Sequence, residues 1–190
     1  MRALLATPVE SAVWLTERLG EFGDRLGAVL LTVPANVRRP DDGSGDRRLA
    51  ALLAAWPAGI PLALELAHPS WHVDEALDLL RLAGATLVAT EAHEDAEPPT
   101  MRLTGPSIYL RLRRHNYGER ELAAWAARIA PFLDAGHDAF AFFRHDETGR
   151  ATELARALAD AVARLVPGAV TSRARAPQPG GRTPCGWPFS

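Results

Sequence analysis

Glutamate, arginine and histidine recur in this chain just beyond short apolar runs. Pro61–Leu66 contains Glu65 and leads into Ala67-His68-Pro69-Ser70-Trp71. Ser107–Leu112 contains Arg111 and leads into Arg113, Arg114, His115 and Tyr117. Ala139–Phe143 leads into Arg144, His145, Asp146 and Glu147. Ala85–Ala89 is followed by Thr90, Glu91 and His93, and Ala28–Val33 by Pro34 and Asn36. Carboxylates and imidazoles exchange protons, and guanidinium groups bind oxyanions. Glu65, Arg111, His145 and Asp146 are therefore the candidate catalytic residues. His68, Trp71, Arg113 and Tyr117 are the candidates for holding a substrate.

Two-residue alternation sharpens the first pair. Glu65 shares a strand face with Ala63 and Ala67, and Arg111 shares one with Tyr109 and Arg113. If both point inward, a buried carboxylate needs a partner and Arg111 can supply it. A structural ion pair and a catalytic pair are both open on these residues. Arg111, Arg113 and Arg114 offer a phosphate site, but alternation separates Arg114 from the other two. Trp71 is either a stacking surface or an aromatic cover. His68, His93 and His145 stand near Glu65, Glu91 and Asp146, a ligand type that suits Zn, Fe or Mn. No fixed-spacing motif such as H-E-x-x-H is present, so no metal site is assigned and the cofactor is unknown. Motifs of the G-x-S-x-G and G-x-G-x-x-G kind are also missing.

These residues must be carried by alternating elements. The apolar runs have strand length and are hydrophobic on both faces, as buried parallel strands are. Between them apolar residues recur three and four apart: Leu15, Leu19 and Phe22; Leu49, Leu52, Leu53 and Trp56; Ala76, Leu77, Leu80 and Leu82. Leu122, Trp125, Ile129 and Phe132 continue the series, as do Leu154, Leu158, Val162 and Leu165. Asp74 and Glu75 open one helix and Gly84 closes it. The order is a helix and then about five strand–helix repeats, which implies an α/β fold with a parallel sheet. In such sheets and barrels the ligand site lies at the carboxyl ends of the strands, where the titratable groups are concentrated.

Residues 1–168 read as one domain, with Arg39–Arg48 as a surface loop. Residues 169–190 are rich in Pro, Gly and Arg and read as a disordered tail. The 190 residues are 47% hydrophobic and 23% charged with a formal net charge of −2, which makes no general electrostatic case for nucleic acid or an anionic membrane. All 21 basic residues of the Lys/Arg class are arginine, which excludes Schiff-base chemistry and a P-loop lysine. The single cysteine, Cys185, excludes an intrachain disulfide. No secretory signal or membrane-length apolar segment is evident, so a cytoplasmic location without membrane partners is expected.

Several of these segments resemble one family in order. Leu26-Gly27-Ala28-Val29-Leu30-Leu31-Thr32-Val33-Pro34 resembles the L-G-P-x-L-x-Q-L-P-P segment of the YecE-like family, the domain of unknown function DUF72. Leu64–Trp71 resembles its E-x-R-H-x-S-W motif, and Tyr109–Leu112 its Y-V-R-L-H-G strand. Phe142–Asp146, with Gly149, Ala151 and Ala155, resembles its closing strand and helix. The chain differs at Ala67, where the motif has Arg, at Thr32, where it has Gln, and at Arg113-Arg114, where it has His-Gly. The resemblance implies a TIM-barrel-like β/α fold. The five strands would form part of an eight-stranded barrel, and about three N-terminal strands would have no counterpart here.

Two roles follow as expectations. One is an enzyme acting on a polar or anionic small molecule, with Glu65 as acid–base group or ligand and Arg111 orienting the substrate, assisted by His145 and Asp146. The other is a binding protein for phosphate-rich ligands or nucleic acid, or a remnant without catalysis. Self-association is expected if the barrel is partial, because open strand edges invite pairing.

Overall fold

A computed structural model describes residues 5–92, 97–144 and 149–168. The candidates His145 and Asp146 lie outside the described residues, as do His93, Glu147 and the 169–190 segment.

Helix α1 (Pro8–Leu19) runs into a 3₁₀ turn at Gly20–Arg25. Then follow β1 (Val29–Val33), α2 (Ser44–Ala55), β2 (Leu62–Leu66), a 3₁₀ turn (Pro69–Trp71), α3 (Asp74–Ala83) and β3 (Thr86–Glu91). The chain continues through β4 (Ser107–Leu112), α4 (Glu119–Asp134), β5 (Asp138–Phe143) and α5 (Arg150–Leu165). The five strands pair in sequence order, each parallel to the next. That order is singly wound; a doubly wound sheet reverses its order part-way. Among the described residues the sheet is open, with β1 and β5 each paired on one side.

Its two faces differ in how they are covered. Val29, Leu31, Leu64 and Leu66 pack against Leu49 and Leu52 of α2 and Leu77 and Leu80 of α3. Ile108, Leu110 and Leu112 pack against Leu122, Trp125 and Ile129 of α4 and Leu158 and Val162 of α5. The helices therefore lie over one face. The other carries Ala63, Val88 and Tyr109, bordered by Leu30 and Phe140. Strand alternation dictates this division, because successive side chains point to opposite sides.

The helix boundaries have local causes. Asp74 and Glu75 occupy the first turn of α3, and Gly84 takes a left-handed conformation (φ 64°) whose N–H caps the last turn. At α4, Gly118 donates its N–H to Glu121 Oε2 at 2.6 Å. Two expectations are corrected. Ser44–Arg48 is not loop but the first turn of α2. Asp42 Oδ1 accepts the Ser44 N–H at 2.9 Å, which starts the helix there. Leu82 is not part of the buried stripe and is 88% exposed. It follows Leu80 by two residues, which places it far around the helix from the core-facing side. Phe22 and Leu165 are also exposed. No helix of the described residues is long and apolar enough to cross a membrane.

Candidate functional site

Glu65 lies near the carboxyl end of β2 and is 6% exposed. Side chains from three other strands converge on it. Thr32 on β1 stands opposite Glu65 in the strand register and donates its hydroxyl to Oε2 at 2.9 Å. Thr90 on β3 donates to Oε1 at 2.5 Å. Arg111 on β4, paired in register with Thr90, donates Nη1 to Oε2 and completes an ion pair. A buried carboxylate is tolerated only when its acceptor sites are filled, and three donors fill them here.

Arg111 also borders a cavity of about 370 Å³, which it lines together with Arg113, Phe142, Phe143 and Arg144. Arg144 donates Nη1 to His115 Nε2 at 3.0 Å. Among the described residues neither Arg113 nor Arg144 has a carboxylate partner. The cavity therefore gathers three guanidinium groups, one of them neutralised by Glu65. Phe142 is 50% exposed and stacks on Tyr109, with ring centroids 5.0 Å apart.

Arg114 lies on the helix-covered side. It reaches Glu91 Oε1 through Nη1 at 3.5 Å and Glu121 Oε1 through Nη2 at 2.9 Å. Glu91 is 1% exposed and accepts the Tyr117 hydroxyl on Oε2 at 2.6 Å. That hydroxyl in turn accepts the Arg114 N–H at 3.2 Å. Burial and the hydrogen bond to Glu91 push the Tyr117 phenol well above the usual tyrosine value. The ring meets Phe143 edge-on at 5.3 Å. Tyr117 thus ties the β4–α4 loop to β3 and does not line the arginine cavity.

The end of β2 is held by its own turn. His68 Nδ1 accepts the Ser70 N–H at 3.1 Å and meets the Ser70 hydroxyl at 2.9 Å. The Ser70 hydroxyl oxygen accepts the Arg39 N–H at 2.8 Å. Trp71 is 1% exposed and donates Nε1 to Val37 O at 2.9 Å, so it anchors the β1–α2 connection. Arg39 grips Asp46 with two bonds of 2.7 and 2.6 Å. Trp71 also borders a second cavity of about 430 Å³, together with Thr32, Asn36, Arg38 and Arg48. Thr32 thus stands between this cavity and Glu65.

Of the candidate residues, the structure brings together Glu65, Arg111 and Arg113. His68 and Trp71 lie at the neighbouring strand end, and Tyr117 lies on the far side of the sheet. Three participants, Thr32, Thr90 and Arg144, were noted in the sequence but not placed among the candidate site residues. Arg144 had a usable signal, since it continues the two-residue phase of Phe140 and Phe142. No three His, Cys, Asp or Glu side chains among the described residues are grouped as metal ligands.

The model of a family described as protein of unknown function DUF72 matches residues 3–179. The chain belongs to the DUF72 family. The chain is similar in fold to a DUF72 protein from Thermotoga maritima MSB8, with a TM-score of 0.59 at 20% identity, covering 82% of this chain and 66% of that one. A DUF72 protein from Enterococcus faecalis V583 gives a TM-score of 0.58 at 16% identity, covering 84% of this chain and 65% of that one. The chain thus spans just under two thirds of the length of these two DUF72 structures. Likeness at such identity concerns the fold. No curated protein matches the chain.

Proposed function

We propose that this DUF72 chain binds an anionic small molecule at the carboxyl ends of β4 and β5. The observation that carries the reading is the cavity shared by Arg111, Arg113 and Arg144, two of which have no carboxylate partner among the described residues. Guanidinium groups at the edge of a parallel sheet match both the chemistry of oxyanion binding and the usual position of ligands in this architecture. Glu65 fixes the Arg111 guanidinium, and in the enzymatic form of this reading it is the acid–base group beside the bound molecule.

The test is a thermal-shift screen of neutral sugars, sugar phosphates and phosphodiesters, repeated on Arg113→Ala and Arg144→Ala. A ligand at a hundred times its dissociation constant adds about 2.7 kcal/mol, which raises Tm by roughly 5–10 °C in a chain of this size. Stabilisation by phosphates, absent in both variants, is the expected result. If no class stabilises the protein, the reading fails.

A further inference from the structure

Phe142 lines the cavity beside the three arginines and leaves half of its surface exposed. Its ring cannot turn aside freely, because Tyr109 stacks on it at 5.0 Å with an interplanar angle of 24°. Tyr109 in turn lies against Phe140, with centroids 6.1 Å apart. The result is a backed, flat apolar surface within the cavity that holds the arginines. Water gains little from such a surface, whereas a flat ring laid on it gains both buried area and stacking.

The charge of the cavity narrows the anion. Arg111 is matched by Glu65, which leaves Arg113 and Arg144 as two positive charges without a carboxylate partner among the described residues. A phosphate monoester carries close to two negative charges near neutral pH and presents three acceptor oxygens. A carboxylate or a phosphodiester carries one negative charge and would leave a guanidinium unmatched. A volume of about 370 Å³ is at the small end of the range for small-molecule sites.

From these observations, and resting on the anion-binding reading above, we infer that the cavity takes the phosphate monoester of a flat, ring-bearing molecule. The phosphoryl group lies between Arg113 and Arg144 and the ring lies on Phe142.

Calorimetric titration of the full chain with inorganic phosphate, glycerol phosphate and phenyl phosphate tests this. Phenyl phosphate is expected to bind about tenfold more tightly than the other two. Phe142→Ala should erase that advantage and leave inorganic phosphate binding unchanged. Phe142→Leu, which keeps apolar bulk without a flat face, should retain only part of it, and Arg113→Ala should weaken all three ligands. If phenyl phosphate binds no better than inorganic phosphate, or if Phe142→Ala weakens both alike, the inference is overturned while the anion-binding reading stands. If none of the three phosphates binds, both are overturned.

Discussion

Arg113 and Arg114 are neighbours in sequence and lie on opposite sides of the sheet. Arg113 borders the open cavity with Arg111 and Arg144, while Arg114 is paired with Glu91 and Glu121 on the side covered by α4. Strand-like alternation continues past the end of β4 and gives one residue to a ligand site and the other to the core. Their substitutions should therefore separate two properties. Arg114→Ala removes an ion-pair partner from the buried Glu91 and is expected to cost about 1–3 kcal/mol in urea unfolding. Arg113→Ala should change stability by less than about 0.5 kcal/mol and weaken phosphate binding. Equal destabilisation by the two would contradict this division.

Glu65 and Arg111 are coupled in the same way. Arg111→Leu leaves Glu65 buried with two hydroxyl donors and no cation, at an expected cost of about 3–5 kcal/mol. Glu65→Leu/Arg111→Leu removes both charges and should recover most of that loss. Denaturation of the two singles and the double closes the cycle. A double variant that also keeps ligand binding would reduce the pair to a structural role and remove Glu65 as an acid–base group.

The protein has two tyrosines, and both phenols are raised. Burial is the main cause for Tyr109, partly opposed by Arg111. For Tyr117 it is burial and then the bond to Glu91. In the unfolded chain both titrate near pH 10. The folded protein holds its phenolic protons more tightly, so this contribution to stability is fully present below about pH 10 and is lost as pH rises through the folded values. Near-ultraviolet absorbance at pH 10 should show less phenolate in the native protein than after denaturation, where about half of the tyrosine is ionised. Half-ionised tyrosine in the native protein at that pH would refute both assignments.

Gly105 tests the packing that leads into β4. A Cβ there would stand 2.7 Å from Thr86 Oγ1, 2.9 Å from Gly84 O and 2.9 Å from Thr86 N. The adjacent Thr104 hydroxyl holds the same approach, donating to Ala85 O and accepting from Leu87 N, each at 2.8 Å. Gly105→Ala is therefore expected to destabilise the protein by about 1–3 kcal/mol without altering the arginine cavity. A lowered urea midpoint with unchanged phosphate affinity is the expected result, and an unchanged midpoint would rule out the close packing.

The sequence by itself determined the elements and the direction in which many side chains leave them. Periods of two and of three to four residues are local properties of the backbone, so the alternating strands and helices were legible. That Glu65 and Arg111 could share an inward face, and that Arg114 separates from Arg111 and Arg113, was legible for the same reason. Only the tertiary structure decided which residues meet. Thr32, Glu65, Thr90 and Arg111 come from four strands, and Thr32 and Arg111 are 79 positions apart. Their convergence depends on inter-strand register, which no local pattern encodes. Tyr117 illustrates the converse: it stands beside the candidate arginines in sequence, but the β4–α4 loop turns it under the sheet to Glu91. Arg144 joins Arg111 and Arg113 because β5 pairs with β4 in a register that sets Phe142 opposite Arg111, and that pairing is fixed by packing between elements distant in the chain.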